Sequence, residues 1–152
     1  MKAIVQRVNR AELRIEKEGN SEVKAKIGKG LVVYLGIEVN DEDTDLYFLC
    51  QKIANLRIFE DDKGKLMYSV RDKGLEIMCI PNFTLAASTD KGNRPSFDKS
   101  ASKDKAEEYF ERFCDKLSES GIRCQKGIFG AFMIIDAESF GPVNMIFDSR
   151  KI

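Results

Sequence analysis

Leu31-Val32-Val33-Tyr34-Leu35-Gly36-Ile37 follows Gly28-Lys29-Gly30 and is an unbroken apolar run of strand length. A strand with one wet face alternates, whereas a strand apolar at every position is covered on both faces, so this run predicts a central strand. Upstream, apolar and polar residues alternate through Ala3-Ile4-Val5-Gln6-Arg7-Val8 and again through Ala11-Glu12-Leu13-Arg14-Ile15-Glu16, the period of half-buried strands. Gly19-Asn20 marks the turn into a strand over residues 23–27. Downstream the period changes. Leu46, Leu49, Cys50, Ile53 and Leu56 fall at helical spacing, with Asp41 or Asp43 placed to cap the first turn. Residues 75–80 form another buried run, closed by Pro81. A second helix starts at the cap residue Ser102, carries Ala106, Tyr109, Phe110, Phe113 and Leu117 on one stripe, and stops at Gly121. Residues 131–135 and 143–147 complete the pattern as closing strands. Strands and helices do not alternate regularly, so the order predicts an α+β domain: a mostly antiparallel, barrel-like β-sheet with two outer α-helices.

The chain has 152 residues, enough for one domain over 1–152, with no repeats and no low-complexity linker. Lysine plus arginine and aspartate plus glutamate are 25 each, so bulk positive charge does not drive nucleic-acid binding, and only a local basic patch is open to it. Histidine is absent. That excludes Ser-His-Asp and Cys-His pairs, histidine-ligated zinc and imidazole proton shuttles together. Cys50, Cys79, Cys114 and Cys124 form no C-x-x-C pair and sit in or beside apolar runs. They are expected to be reduced, buried thiols in a cytoplasmic protein, because a chain of this length needs no disulfide staples. No secretory leader is recognisable, and no stretch approaches the ~18–20 apolar residues of a membrane span. No metal and no cofactor are expected.

Packing explains the loops least. Pro81-Asn82-Phe83-Thr84-Leu85 places a hydroxyl, an amide and an aromatic after a buried strand. Asp90-Lys91-Gly92-Asn93-Arg94-Pro95-Ser96-Phe97 is a polar loop with two cations, while Gly127-Ile128-Phe129-Gly130-Ala131 and Ser139-Phe140-Gly141-Pro142-Val143 are glycine-containing turns. Each also has a plain reading. A threonine such as Thr84 is ordinarily a strand-edge hydroxyl, Gly141-Pro142 a simple turn, and Lys91 and Arg94 solvated charges. Asp61 and Asp62 fit a solvated turn better than a metal site.

In combination, several stretches resemble one family. Met1-Lys2-Ala3-Ile4-Val5-Gln6-Arg7-Val8, Ile27-Gly28-Lys29-Gly30-Leu31, Asn55-Leu56-Arg57-Ile58-Phe59-Glu60-Asp61 and Lys91-Gly92-Asn93-Arg94-Pro95-Ser96-Phe97 are similar to segments of the D-aminoacyl-tRNA deacylases. Phe129-Gly130-Ala131 and Gly141-Pro142-Val143 continue the likeness in the same order. The resemblance implies a homodimer with a barrel-like fold that binds the aminoacylated 3′ end of tRNA. Its members hydrolyse the ester joining a D-amino acid, or glycine, to the terminal adenosine.

Both active-site motifs depart from the family pattern. Ser-Gln-Phe-Thr-Leu is replaced by Pro81-Asn82-Phe83-Thr84-Leu85, and Asn-x-Gly-Pro-Val-Thr by Ser139-Phe140-Gly141-Pro142-Val143-Asn144. Phe132 stands where the family commonly has aspartate. The resemblance implies that the backbone at Phe83 and Thr84, beside Asn82, holds an oxyanion while the terminal ribose 2′-hydroxyl supplies the base. It implies that Gly141 and Pro142, joined by a cis bond, reach into the partner subunit's pocket and exclude L side chains. Arg7, Pro81, Val143 and Asn144 support that arrangement. Phe129 and Met133 are candidates for the adenine, with core packing as their other reading, and Lys91 and Arg94 for tRNA phosphates, joined by Lys99, Lys103 and Lys105. Pro81 also occurs in a related animal-type deacylase that clears an L-amino acid, so an L-aminoacyl-tRNA proofreader is a second reading. A catalytically drifted homodimer that binds nucleic acid is the third.

Overall fold

The computed structural model describes residues 1–17, 19–90 and 92–151. In chain order the elements are β1 (Lys2–Lys17), β2 (Asn20–Ile27), β3 (Gly30–Gly36), α1 (Asp43–Ala54), β4 (Phe59–Glu60), β5 (Leu66–Tyr68), β6 (Glu76–Pro81), one turn of 3-10 helix (Phe83–Ala86), α2 (Lys103–Glu119), β7 (Arg123–Lys126) and β8 (Met133–Asp148).

The Leu31–Ile37 run is the central strand its composition predicts. β3 lies between β1, antiparallel, and β6, parallel. Its odd residues Leu31, Val33 and Leu35 join the core shared with the helices; Val32, on the other face, joins a second cluster. That second cluster draws on β1, β2, β3 and β6, with Met133, Ile135 and Ala137 of β8 against it, so the sheet wraps around it as a nearly closed barrel. β1, β2, β3 and β8 pair antiparallel, whereas β3, β6 and β7 run parallel, which makes the sheet mixed as well as mostly antiparallel.

Three expectations change. The two upstream strand segments are one strand, β1, whose first half pairs β3 and whose second half pairs β2, with β8 along its other edge. The two closing strands are likewise one sixteen-residue strand. Gln6 pairs Asn144 and Val8 pairs Ser139, so residues 140–143 all stand opposite Arg7 alone. Gly141-Pro142 is therefore a bulge within a continuous strand, not a turn between two; proline has no N–H to offer a ladder, and a bulge is where a strand tolerates it. Finally, neither Asp41 nor Asp43 caps α1. Glu42 occupies that position, and the Asp45 carboxylate accepts its N–H at 2.8 Å. Asp41 instead bonds the Met1 ammonium and accepts from the Glu38 N–H and from Arg150.

α2 starts at Ser102, whose hydroxyl accepts the Lys105 N–H, and buries Ala106, Phe110, Phe113, Cys114 and Leu117, with Tyr109 at the edge of that stripe. β7 and the small β4–β5 hairpin had no periodic signal. No helix among the described residues is long and apolar enough to cross a membrane.

Candidate active site

The chain reverses direction at Asn82, directly after β6. The Asn82 N–H extends the sheet by donating to the Leu35 carbonyl at 2.8 Å, and the next four residues coil against β3. Gly36 permits this approach. A Cβ there would stand 2.8 Å from the Leu85 Cβ and 3.0 Å from the Asn82 carbonyl oxygen. The turn is closed locally, because the Asn82 side-chain oxygen accepts the Thr84 N–H at 3.2 Å and also the Thr84 hydroxyl. The Phe83 N–H, by contrast, has no acceptor among the described residues.

This segment forms one wall of a cavity of about 210 Å³ lined by Leu35, Ile37, Pro81, Asn82, Phe83, Ala106, Phe129, Gly130, Ala131 and Met133. Phe129 leans on Phe110, with ring centroids 6.4 Å apart. Met133 packs against the barrel cluster, and its sulfur accepts the Ile128 N–H at 3.4 Å. Each is partly buried against a core cluster and also lines the cavity. Phe83 is 57% exposed, and its ring sits 5.0 Å from that of Phe97. The lining is apolar apart from the Asn82 amide and the main chain, which suits an aromatic base better than an anion.

Gly141 and Pro142 lie elsewhere. They border a second cavity with Arg7, Glu60, Phe140 and Val143, which shares no lining residue with the first. Arg7, 3% exposed, organises this bulge. Its Nε donates to the Phe140 carbonyl at 3.0 Å, its Nη1 to the Ile58 carbonyl at 2.6 Å, and the Glu60 carboxylate stands 3.5 Å away. The guanidinium also covers the Phe140 ring at 4.8 Å, a cation–π contact. The Gly141–Pro142 peptide is cis, and Gly141 has φ +129°. A Cβ at 141 would meet Val143 Cγ2 at 2.8 Å and Arg7 Nη2 at 3.0 Å, so neither backbone angle nor space admits a side chain.

The model of the family described as D-Tyr-tRNA(Tyr) deacylase matches residues 4–148. The chain belongs to that family. A D-aminoacyl-tRNA deacylase of Aquifex aeolicus (strain VF5) is 43% identical over 152 residues, covering all of both chains. A solved structure named c-Myc DNA Unwinding Element Binding Protein superposes with a TM-score of 0.88 at 38% identity, over 97% of this chain and 98% of that one. A probable eukaryotic D-amino acid tRNA deacylase superposes with a TM-score of 0.81 at 19% identity, over 96% and 97%, and there the likeness is one of fold.

Within the family's frame the predicted residues fall into two groups. Asn82, Phe83, Pro81, Phe129 and Met133 share the first cavity; Arg7, Gly141, Pro142 and Val143 share the second. Asn144 is in the ladder opposite Gln6, at the end of the bulge. Thr84 is exposed beside the first cavity, its N–H and hydroxyl both held by Asn82, so of the two expected backbone donors only the Phe83 N–H is unengaged. The basic candidates scatter. Arg94 and Lys99 line a pocket with Asp90 and Asp98, Lys105 donates to the Val39 and Asp41 carbonyls, Lys103 opens α2, and Lys91 lies outside the described residues. Asp61 accepts the Lys63 and Lys65 N–H groups in the β4–β5 turn, as a turn residue does. The residues missed at the sequence level are Ile58 and Glu60. In sequence their stretch carries only a family resemblance, yet in the fold it holds Arg7.

Proposed function

We propose that this chain hydrolyses the ester between tRNA and a D-amino acid, or glycine carried on tRNA for alanine, as a homodimer in the cytoplasm. The observation that supports the reading is the cavity lined together by Phe83, whose N–H has no acceptor among the described residues, and by Phe129 and Met133. Adenine packs on those two side chains, an interaction typically giving about 1–3 kcal/mol per base. The ester carbonyl then lies at the turn, where the Phe83 N–H stabilises the oxyanion formed on water attack. Such donors typically contribute about 2.7–4 kcal/mol. An aminoacyl ester is activated, so this assistance and a positioned water are enough.

The base in this reading is the free 2′-hydroxyl of the terminal ribose. Thr84 is a poor nucleophile here, because its hydroxyl donates to an amide oxygen, which cannot take the proton away. Chirality is selected by the bulge of the partner subunit, whose Gly141 backbone wall leaves room for hydrogen or a D side chain and overlaps an L one. Two features support the dimer: among the described residues β8 pairs only with β1, and large apolar side chains stand exposed along it, Ile146 82% and Phe132, just before the strand, 88%. Arg94, Lys99 and Lys103 are, among the described residues, the candidate cations for acceptor-stem phosphates.

The test is D-tyrosyl-tRNA ending in a 2′-deoxy adenosine that carries the amino acid on its 3′-oxygen. The ribose form turns over and the deoxy form slows by at least the 10²-fold scale of general base catalysis; equal rates overturn the mechanism. The same assay with glycyl- and L-alanyl-tRNA separates the readings. Turnover of L-alanyl-tRNA alone establishes the proofreader that Pro81 permits, and binding without turnover establishes the drifted nucleic-acid binder.

A further inference from the structure

Three cysteines far apart in sequence converge behind the first cavity. Cys79 comes from β6, Cys114 from α2 and Cys124 from β7, and their sulfur atoms lie within 4.8 Å of one another. The Cys79 and Cys124 sulfurs are 3.6 Å apart. Cys79 and Cys114 are fully buried, Cys124 partly so. The fourth cysteine, Cys50, points its thiol at the Phe113 carbonyl and stands outside the group.

The Cys79–Cys124 pair is not arranged as a disulfide. In the parallel β6–β7 ladder Cys79 faces Lys126 while Cys124 faces Ile77, an offset of two residues. At about 3.3 Å per residue and about 4.8 Å between strands, the two Cα atoms lie about 8 Å apart. A disulfide needs Cα atoms closer than about 7 Å. The sulfurs nevertheless meet, because both side chains lean towards the point where Cys114 comes down from the helix. Convergence of three sulfurs with this spacing is the geometry of ligands around one ion, since three atoms each about 2.3 Å from a common centre stand about 4 Å from one another.

We propose that Cys79, Cys114 and Cys124 form a three-thiolate site for a soft d10 cation, with Cu(I) the ion whose coordination it fits. Thiolate sulfur selects Cu(I) and Zn(II) over harder ions. Zn(II) ordinarily takes four ligands. Among the described residues no fourth cysteine or carboxylate joins the cluster, and the chain has no histidine. Burial of two of the three sulfurs leaves little access for a water to complete a tetrahedron, which favours three-coordinate Cu(I). Binding exchanges thiol protons for the metal ion and changes no oxidation state. The Cys79 carbonyl accepts the Gly127 N–H at 2.7 Å, so the site lies directly behind the strand end and loop that line the first cavity.

The test supplies Cu(I) anaerobically to the reduced full-length protein, with Zn(II) in parallel, followed by desalting against a weak thiol competitor. Expected are one retained Cu(I) per chain, an ultraviolet thiolate-to-metal charge-transfer band, and a melting temperature raised by the bound ion. Cys124→Ser, at the partly exposed position, removes all three, whereas Cys50→Ser keeps them; circular dichroism confirms the fold of each variant, and Cys124→Ala or Cys50→Ala replaces the one that fails. No retained copper, equal retention by Cys124→Ser, retention of Zn(II) with rejection of Cu(I), or a disulfide among these cysteines in the protein as isolated overturns the proposal.

Discussion

Arg7 Nε donates to the Phe140 carbonyl at 3.0 Å, which ties β1 to the residue just before the Gly141–Pro142 bulge of β8. The same guanidinium reaches the Ile58 carbonyl and the Glu60 carboxylate, so three separated segments depend on one side chain. Lysine cannot reproduce this fork, having a single point charge in place of planar donors. Arg7→Lys is expected to destabilise the fold by about 2–4 kcal/mol through unmade bonds to a charged group. It should also raise hydrolysis of L-aminoacyl-tRNA relative to D-aminoacyl-tRNA. Urea unfolding and a paired D/L assay check both outcomes.

Thr84→Ala tests which group is the base. The Thr84 hydroxyl bonds the Asn82 amide oxygen and has no base among the described residues, so its removal is expected to lower kcat by less than about tenfold, below the 10²–10⁴ range for loss of acid–base catalysis. Single-turnover rates on D-tyrosyl-tRNA provide the measurement, with circular dichroism to confirm the fold.

Gly36→Ala probes the approach of the turn to β3. The added methyl would press on Leu85 and on the Asn82 carbonyl, and overpacking of this kind typically costs about 1–3 kcal/mol. Because the strained atoms belong to the turn that carries Phe83, kcat should fall as well, while KM for tRNA, set in the proposed reading by Phe129 and Met133, changes less.

Acid should loosen the contact between the helices. Asp43, at the start of α1, receives Arg112 of α2 at 2.7 Å and Tyr109 at 3.2 Å, and the Arg112 hydrogen bond leads the causes that hold its carboxyl below the usual aspartate range. The unfolded chain therefore binds this proton more readily than the folded one. The contribution is present above the unfolded-chain pKa of about 4 and is lost as pH falls through the depressed folded value. The melting-temperature gap between the native protein and Asp43→Asn is expected to be constant near neutrality and to close below about pH 4. A gap that is flat with pH would exclude Asp43 as the titrating group.

Most of the scaffold could be read from local pattern. The 31–37 run betrayed a doubly covered strand, and Ser102 with its apolar stripe located α2, because both signals depend on neighbours in sequence. β7 escaped because Arg123 to Lys126 is short and polar, and is recruited as a strand only by lying beside β6. Gly141-Pro142 suggested a turn because proline interrupts a ladder; that four residues could loop out opposite one arginine depends on Arg7, far away in the chain. Asp41 looked like a helix cap, but an ammonium distant in sequence had a stronger claim on it. The candidate site divides in the same way. Its residue types came from motif resemblance, whereas the pairing of Thr84 with Asn82 depends on a side chain one methylene shorter than the family's glutamine.

The division of the candidate residues between two cavities has a consequence for mixed assemblies. If each reaction centre combines the Phe83 turn of one chain with the Pro142 bulge of the other, damage to the two parts need not fall on the same centre. Co-assembling a chain defective only at the turn with a chain defective only at the bulge would leave one centre wholly intact and concentrate both defects in the other. The mixed dimer, isolated from both parents, would then work at about half the native rate with native selectivity, although each parent is impaired.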